Sequence, residues 1–181
     1  MGRRAVRRRP GGPRVLLSRL FVAVFPAEEA VDHLRRYLPA SAARRPEKWH
    51  VTLAFLGDVP GPDVPSVVAA LADVPLPGLI NLRLAGSGTF GAVLWAGVHG
   101  SLEQLTAFRE DIRTALAAAD FPIDARPFRP HLTISYRHDR RLAAILDGYS
   151  GPSWPVTEFA LVDSVEGDYL PIWSKSLSGT P

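Results

Sequence analysis

Two short segments alternate with period two, and each is thereby committed to a β-strand with one apolar face. In HVTLAFLG (50–57), Val51, Leu53 and Phe55 alternate with His50 and Thr52; in HLTISY (131–136), Leu132, Ile134 and Tyr136 alternate with His131 and Thr133. Successive side chains leave opposite faces of a strand, so each histidine shares a face with the threonine two residues on. Either pair alone suits a histidine on a solvated face. Seven threonines in 181 residues make a chance His-x-Thr uncommon, yet two of the five histidines carry one.

The remaining chain supplies strands and helices around these two segments. LFVAVFP (20–26) is β-rich and ends at Pro26, and AEEAVDHLRRYL (27–38) places acids first and arginines last, as a helix dipole prefers. PDVPSVVAALADV (62–74) predicts a second helix with a proline near its first turn. Residues 80–100 predict two strands around a glycine-rich turn. Residues 101–119 predict a helix with Ser101 as N-cap and Leu102, Leu105, Phe108, Ile112 and Leu116 in one stripe. A helix near 139–148 and two final strands complete an order of β-α-β-α-β-β-α-β-α-β-β. This is an α+β pattern of two similar halves, with parallel βαβ winding as the competing arrangement.

At 46% hydrophobic, 181 residues suit one domain or two tightly joined lobes. The net charge of +3 suggests a nucleic-acid groove until its distribution is read: residues 1–19 hold seven arginines and no acid, leaving 14 basic against 18 acidic residues in the body. The basic character is a tail, expected to be a disordered extension over 1–18 before a single domain over 19–181. Arg19 interrupts the apolar run that follows, and no apolar stretch reaches the ~18–20 residues of a membrane span, so a cytoplasmic soluble monomer is expected.

The absence of cysteine excludes a disulfide framework, a thiolate metal site and a cysteine nucleophile. Neither His-x-Thr has a second histidine or a carboxylate at ligand spacing, and there is no Gly-x-Ser-x-Gly elbow. GSGTFG (86–91) matches a dinucleotide fingerprint formally, but the strand-like AVLWAGV follows it where a helix is required, so it reads as a turn. Two facing His-x-Thr strands would instead make a cavity with two imidazoles and two hydroxyls. Imidazole titrates near neutrality, so one can act as base while the other acts as acid on a phosphodiester, the hydroxyls binding its oxygens. Arg126 and Arg129 in RPFRPH (126–131) stand near this pocket as ordinary surface charges or as phosphate contacts. His33, His99 and His138 read as surface or turn residues.

RLFVAVFP, HVTLAFLG, VLWAGVHG and RPFRPHLTISY, in this order over about residues 19–177, resemble the 2H phosphoesterase superfamily, and within it the RNA 2′,3′-cyclic phosphodiesterases also described as 2′-5′ RNA ligases. The resemblance implies a bilobal pseudo-twofold α+β fold, with two antiparallel sheets around a central cleft and helices outside. It also implies hydrolysis of a 2′,3′-cyclic phosphate, on RNA ends or small cyclic nucleotides, to a 2′-phosphomonoester without metal or other cofactor. His50 and His131 are then the acid–base pair, Thr52 and Thr133 the phosphate binders, and by analogy His131 is the base. Sequence does not fix which histidine is which. Tyr136 stands where many relatives have arginine, with Arg137 one place later; either is a candidate substrate contact. Phe55 is another, although its strand parity points to the core, and Trp49 replaces a smaller aliphatic residue. The rival functions are the reverse reaction, 2′-5′ RNA ligation, and noncatalytic RNA or nucleotide binding.

Overall fold

A computed structural model describes residues 16–121, 123 and 126–177. Among these residues there are eight strands and four α-helices: β1 (Leu17–Val24), α1 (Glu28–Tyr37), β2 (Val51–Pro60), α2 (Val64–Ala72), β3 (Asn81–Phe90), β4 (Val93–Gly100), α3 (Leu102–Ala118), β5 (His131–Ser135), α4 (Arg140–Asp147), β6 (Ser150–Pro155), β7 (Glu158–Val165) and β8 (Asp168–Ser176). The strands form one sheet in the order β6-β3-β4-β5-β2-β1-β7-β8, with every pairing antiparallel. Parallel winding is thereby ruled out. The two sheets expected are the two four-stranded halves of this one, β6-β3-β4-β5 and β2-β1-β7-β8, joined at the single pair Val51↔Leu132.

The two faces of β1 are both apolar, as suits a central strand. Leu20, Val22 and Val24 belong to the main core, which they share with Leu34, Leu105, Phe108, Ile112 and Leu146 of the helices. Phe21 and Ala23 point the other way, forming with Ala160 and Val162 a smaller cluster bordered by Phe25 and Tyr169. The helices thus cover one face of the sheet, and the opposite face is left to line a cleft.

The structure departs from the sequence reading in five places. β1 begins at Leu17, so residues 17 and 18 belong to the sheet; residues 1–15 lie outside those described. β2 does not stop at Gly57 but runs on to Pro60, because Gly57 takes a positive φ at a bulge opposite Leu20. Gly86–Phe90 are strand, with a second bulge at Gly86, and the turn is only Gly91–Ala92. Ser101 precedes α3, but its hydroxyl accepts from the Asn81 amide at 3.2 Å instead of capping the helix. SGPSWP (150–155) forms an eighth strand, at the sheet edge where its prolines are tolerated.

Candidate active site

The pair Val51↔Leu132 fixes the site. In an antiparallel register it sets His50 opposite Thr133 and Thr52 opposite His131, and it sends all four side chains to the face away from the core. Val51 and Leu132 are fully buried beneath them.

Both histidines are held by the same backbone device. His50 Nδ1 lies 2.7 Å from the carbonyl oxygen of Lys48, and His131 Nδ1 lies 2.7 Å from that of Arg129, in each case two residues upstream. A carbonyl only accepts, so each Nδ1 carries a hydrogen and donates, and Nε2 is left as the nitrogen that exchanges protons. Thr52 Oγ1 lies 3.1 Å from His50 Nε2. When His50 is neutral this hydroxyl donates to the ring; when it is charged the ring donates to the hydroxyl.

The surroundings of the two rings differ. Phe21 lies 4.8 Å from His50 by ring centroids, and Tyr169 meets it edge-on at 5.2 Å. His131 meets Phe90 edge-on at 4.9 Å, with Trp95 at 6.0 Å. Trp95 lies flat over β3 because its neighbour there is Gly88, where a methyl group would collide with the indole. Burial pushes the His50 pKa below its ordinary value, against the Lys48 carbonyl bond, which raises it; the nearby His131 lowers it further. The Tyr169 hydroxyl is pushed up to about 12, chiefly by burial and then by a hydrogen bond with Tyr136, so it stays protonated at neutral pH.

A bulge follows each His-x-Thr. On β2, Ala23 pairs with Thr52 and Val22 with Ala54, leaving Leu53 as an extra residue; on β5, Trp95 pairs with Thr133 and Leu94 with Ser135, leaving Ile134 extra. An extra residue reverses strand parity. Phe55 is therefore not a core residue: it is 41% exposed, pairs with Phe21 on the cleft face, and lies under the Arg19 guanidinium at 5.2 Å. Tyr136 occupies the matching place after the second bulge and is 70% exposed. The two aromatic candidates are thus equivalent positions at the two ends of the cleft.

Other candidates fare differently. Arg126 and Arg129 are exposed, and the backbone carbonyl of Arg129 is the one that holds His131 Nδ1. Arg137 is exposed, its amide donating to Ser135 Oγ and its carbonyl accepting from the same hydroxyl. Trp49 is buried against the core and forms part of a cavity of about 310 Å³ beside His50 and Thr133, which Tyr136 and Tyr169 also line. His33 is not a plain surface residue, since its Nδ1 lies 3.1 Å from the Tyr149 hydroxyl and ties α1 to the start of β6. His99 and His138 are exposed. Among the described residues no three His, Asp or Glu side chains stand close enough to hold a metal ion, and no helix is long and apolar enough to cross a membrane.

Sequence reasoning missed Phe21, Phe90, Trp95 and Tyr169 as the walls around the rings, and Arg109. Arg109 is buried on α3; its Nε donates to the carbonyl of the bulged Leu53 at 3.1 Å, and its guanidinium lies 4.8 Å from the Phe128 ring. One side chain thereby supports the strand that carries Thr52 and the loop that delivers His131. Nothing local distinguishes it from the other arginines.

A family model, that of the 2′-5′ RNA ligase superfamily, matches residues 24–168. The chain belongs to this superfamily. It is 35% identical over 131 residues to an RNA 2′,3′-cyclic phosphodiesterase of Geobacillus stearothermophilus, a match that covers 65% of this chain but only 41% of that relative's length. A relative of the same name from Escherichia coli is 30% identical over 154 residues, covering 81% of this chain and 87% of its own. The crystal structure of E. coli LigT complexed with 3′-AMP is similar with a TM-score of 0.71 and 27% identity, over 91% of this chain and 100% of that one.

Proposed function

We propose that this chain hydrolyses 2′,3′-cyclic phosphates, on RNA ends or small cyclic nucleotides, to 2′-phosphomonoesters, using His50 and His131 as its acid–base pair. The observation that carries the reading is the Val51↔Leu132 register, which brings two identically anchored imidazoles and two hydroxyls to one cleft face. The names of the relatives support the substrate class.

One Nε2 takes a proton from water as the water oxygen attacks phosphorus. The other, charged, gives its proton to the 3′ oxygen as the P–O3′ bond breaks, leaving a 3′ hydroxyl and a 2′ phosphomonoester. Thr52 and Thr133 turn their hydroxyls to the non-bridging oxygens as charge builds there. Burial favours the neutral form of His50, which suits the base role and leaves His131 as the acid, opposite to the assignment by resemblance.

The test is phosphorus NMR of a 2′,3′-cyclic mononucleotide incubated with the protein and EDTA. The 2′-monoester is expected; the 3′-monoester alone, or no turnover, contradicts the reading. The superfamily description favours one further reading, ligation of RNA ends through a 2′-5′ bond, which runs the same two proton transfers in reverse. Joining of an oligonucleotide with a 5′ hydroxyl to one with a cyclic phosphate end would reveal it. Tight binding without either reaction would point to a noncatalytic module.

A further inference from the structure

The cavity beside His50 has cationic as well as aromatic walls. Besides His50, Thr133 and Tyr136 it is lined by Arg44, Arg45 and Lys48 from the segment before β2, and by Tyr169 at the start of β8. Two of these cations are committed to holding the wall. Arg45 bonds Glu47 through Nε at 2.9 Å and Asp168 through its terminal nitrogen, while Lys48 meets Asp168 at 3.3 Å, the Gly167 carbonyl, and the Tyr169 ring at 5.5 Å. These hydrogen bonds from Arg45 and Lys48 hold the Asp168 carboxyl below its usual range, so the latch is ionic. Arg44 is exposed, and among the described residues its guanidinium has no hydrogen-bond or ion-pair partner.

We infer that this cavity is a second anion subsite, which takes the phosphodiester immediately 5′ to the reacting cyclic nucleotide, with Arg44 as its contact. The inference rests on the proposed hydrolysis and deepens it, since it makes oligoribonucleotide ends the preferred substrate class over free cyclic mononucleotides. The physical grounds are threefold. His50 and Thr133 of the reaction centre line the same cavity as Arg44, so a substrate that fills it meets all three. The Arg45–Asp168–Lys48 latch fixes the wall, so little ordering is left for the substrate to drive. A guanidinium with all its donors free matches a phosphodiester in a forked geometry.

The experiment compares kcat/KM for a 2′,3′-cyclic mononucleotide lacking a 5′ phosphate with that for a dinucleotide ending in the same cyclic nucleotide. The dinucleotide should be preferred by about tenfold or more, as for one charge-assisted contact. Arg44→Ala should bring that ratio close to one, chiefly through KM, with Arg44→Lys restoring part of it. Added salt should lower the ratio in the native protein more than in Arg44→Ala. A native ratio near one, or a ratio that Arg44→Ala leaves in place, overturns the subsite. If neither substrate is turned over, the hydrolase reading fails and the subsite is judged by binding of mono- and dinucleotide 2′-monophosphates: equal affinities in the native protein overturn it, and a dinucleotide advantage erased by Arg44→Ala upholds it.

Discussion

The two histidines sit in halves of the molecule that agree in backbone and differ in surroundings. Each ring donates from Nδ1 to a carbonyl two residues upstream at 2.7 Å, and each His-x-Thr is followed by a bulge that turns an aromatic residue toward the cleft. Around His50, however, the walls are Phe21 and Tyr169 with a cationic cavity beyond, whereas around His131 they are Phe90 and Trp95. Agreement in backbone makes both imidazoles serviceable in the same tautomer. Difference in surroundings bears on charge, because burial disfavours the protonated form of His50.

The largest effect should come from deleting either ring. His50→Ala and His131→Ala should each reduce turnover of a cyclic phosphate by about 10² to 10⁴ while near-native circular dichroism is retained. The double variant should lose little more than the worse single one, since two groups acting as a unit are not additive. Additive losses would mean that the rings act separately. Removing the hydroxyls comes next: Thr52→Val and Thr133→Val should each cost about 10² in kcat, as for loss of one donor to a developing oxyanion. A change in KM alone would make them binding groups only.

The supports of each half give smaller effects. Arg109→Met strands the Leu53 carbonyl in the core and should lower stability by about 1–3 kcal/mol in urea melts, with activity falling through displacement of the strand that carries Thr52 and the loop before His131. Gly88→Ala drives a methyl into the Trp95 indole and should cost about 1–3 kcal/mol, changing the His131 side while leaving the His50 tautomer as it is. The smallest effect concerns pH. Because the folded-state pKa of His50 is depressed, its contribution to stability is full above the ordinary histidine value of about 6.5 and is lost as pH falls through the folded value. His50→Phe should flatten that part of the profile of melting temperature against pH.

The parts of this arrangement that were legible in the sequence are the local ones. Period two is a property of adjacent residues, so His50, Thr52, His131 and Thr133 could be assigned to one face of their strands without knowledge of any partner. The bulges at Leu53 and Ile134 depend on how β1 and β4 pair with those strands, so the parity of Phe55 was misread. β6 was missed because SGPSWP has the composition of a loop and is made a strand only by its pairing with β3. The carbonyls that fix the tautomers belong to Lys48 and Arg129 as backbone, and no side-chain pattern marks them.

The claim that the two rings share one tautomer while burial disfavours the charged form of His50 is tested most directly by long-range proton–nitrogen NMR of the histidine side chains across pH in the unliganded protein. Both rings should carry their hydrogen on Nδ1 when neutral, with His50 titrating below the ordinary histidine value. A neutral His50 with its hydrogen on Nε2, or a His50 that stays charged above pH 7, would contradict it.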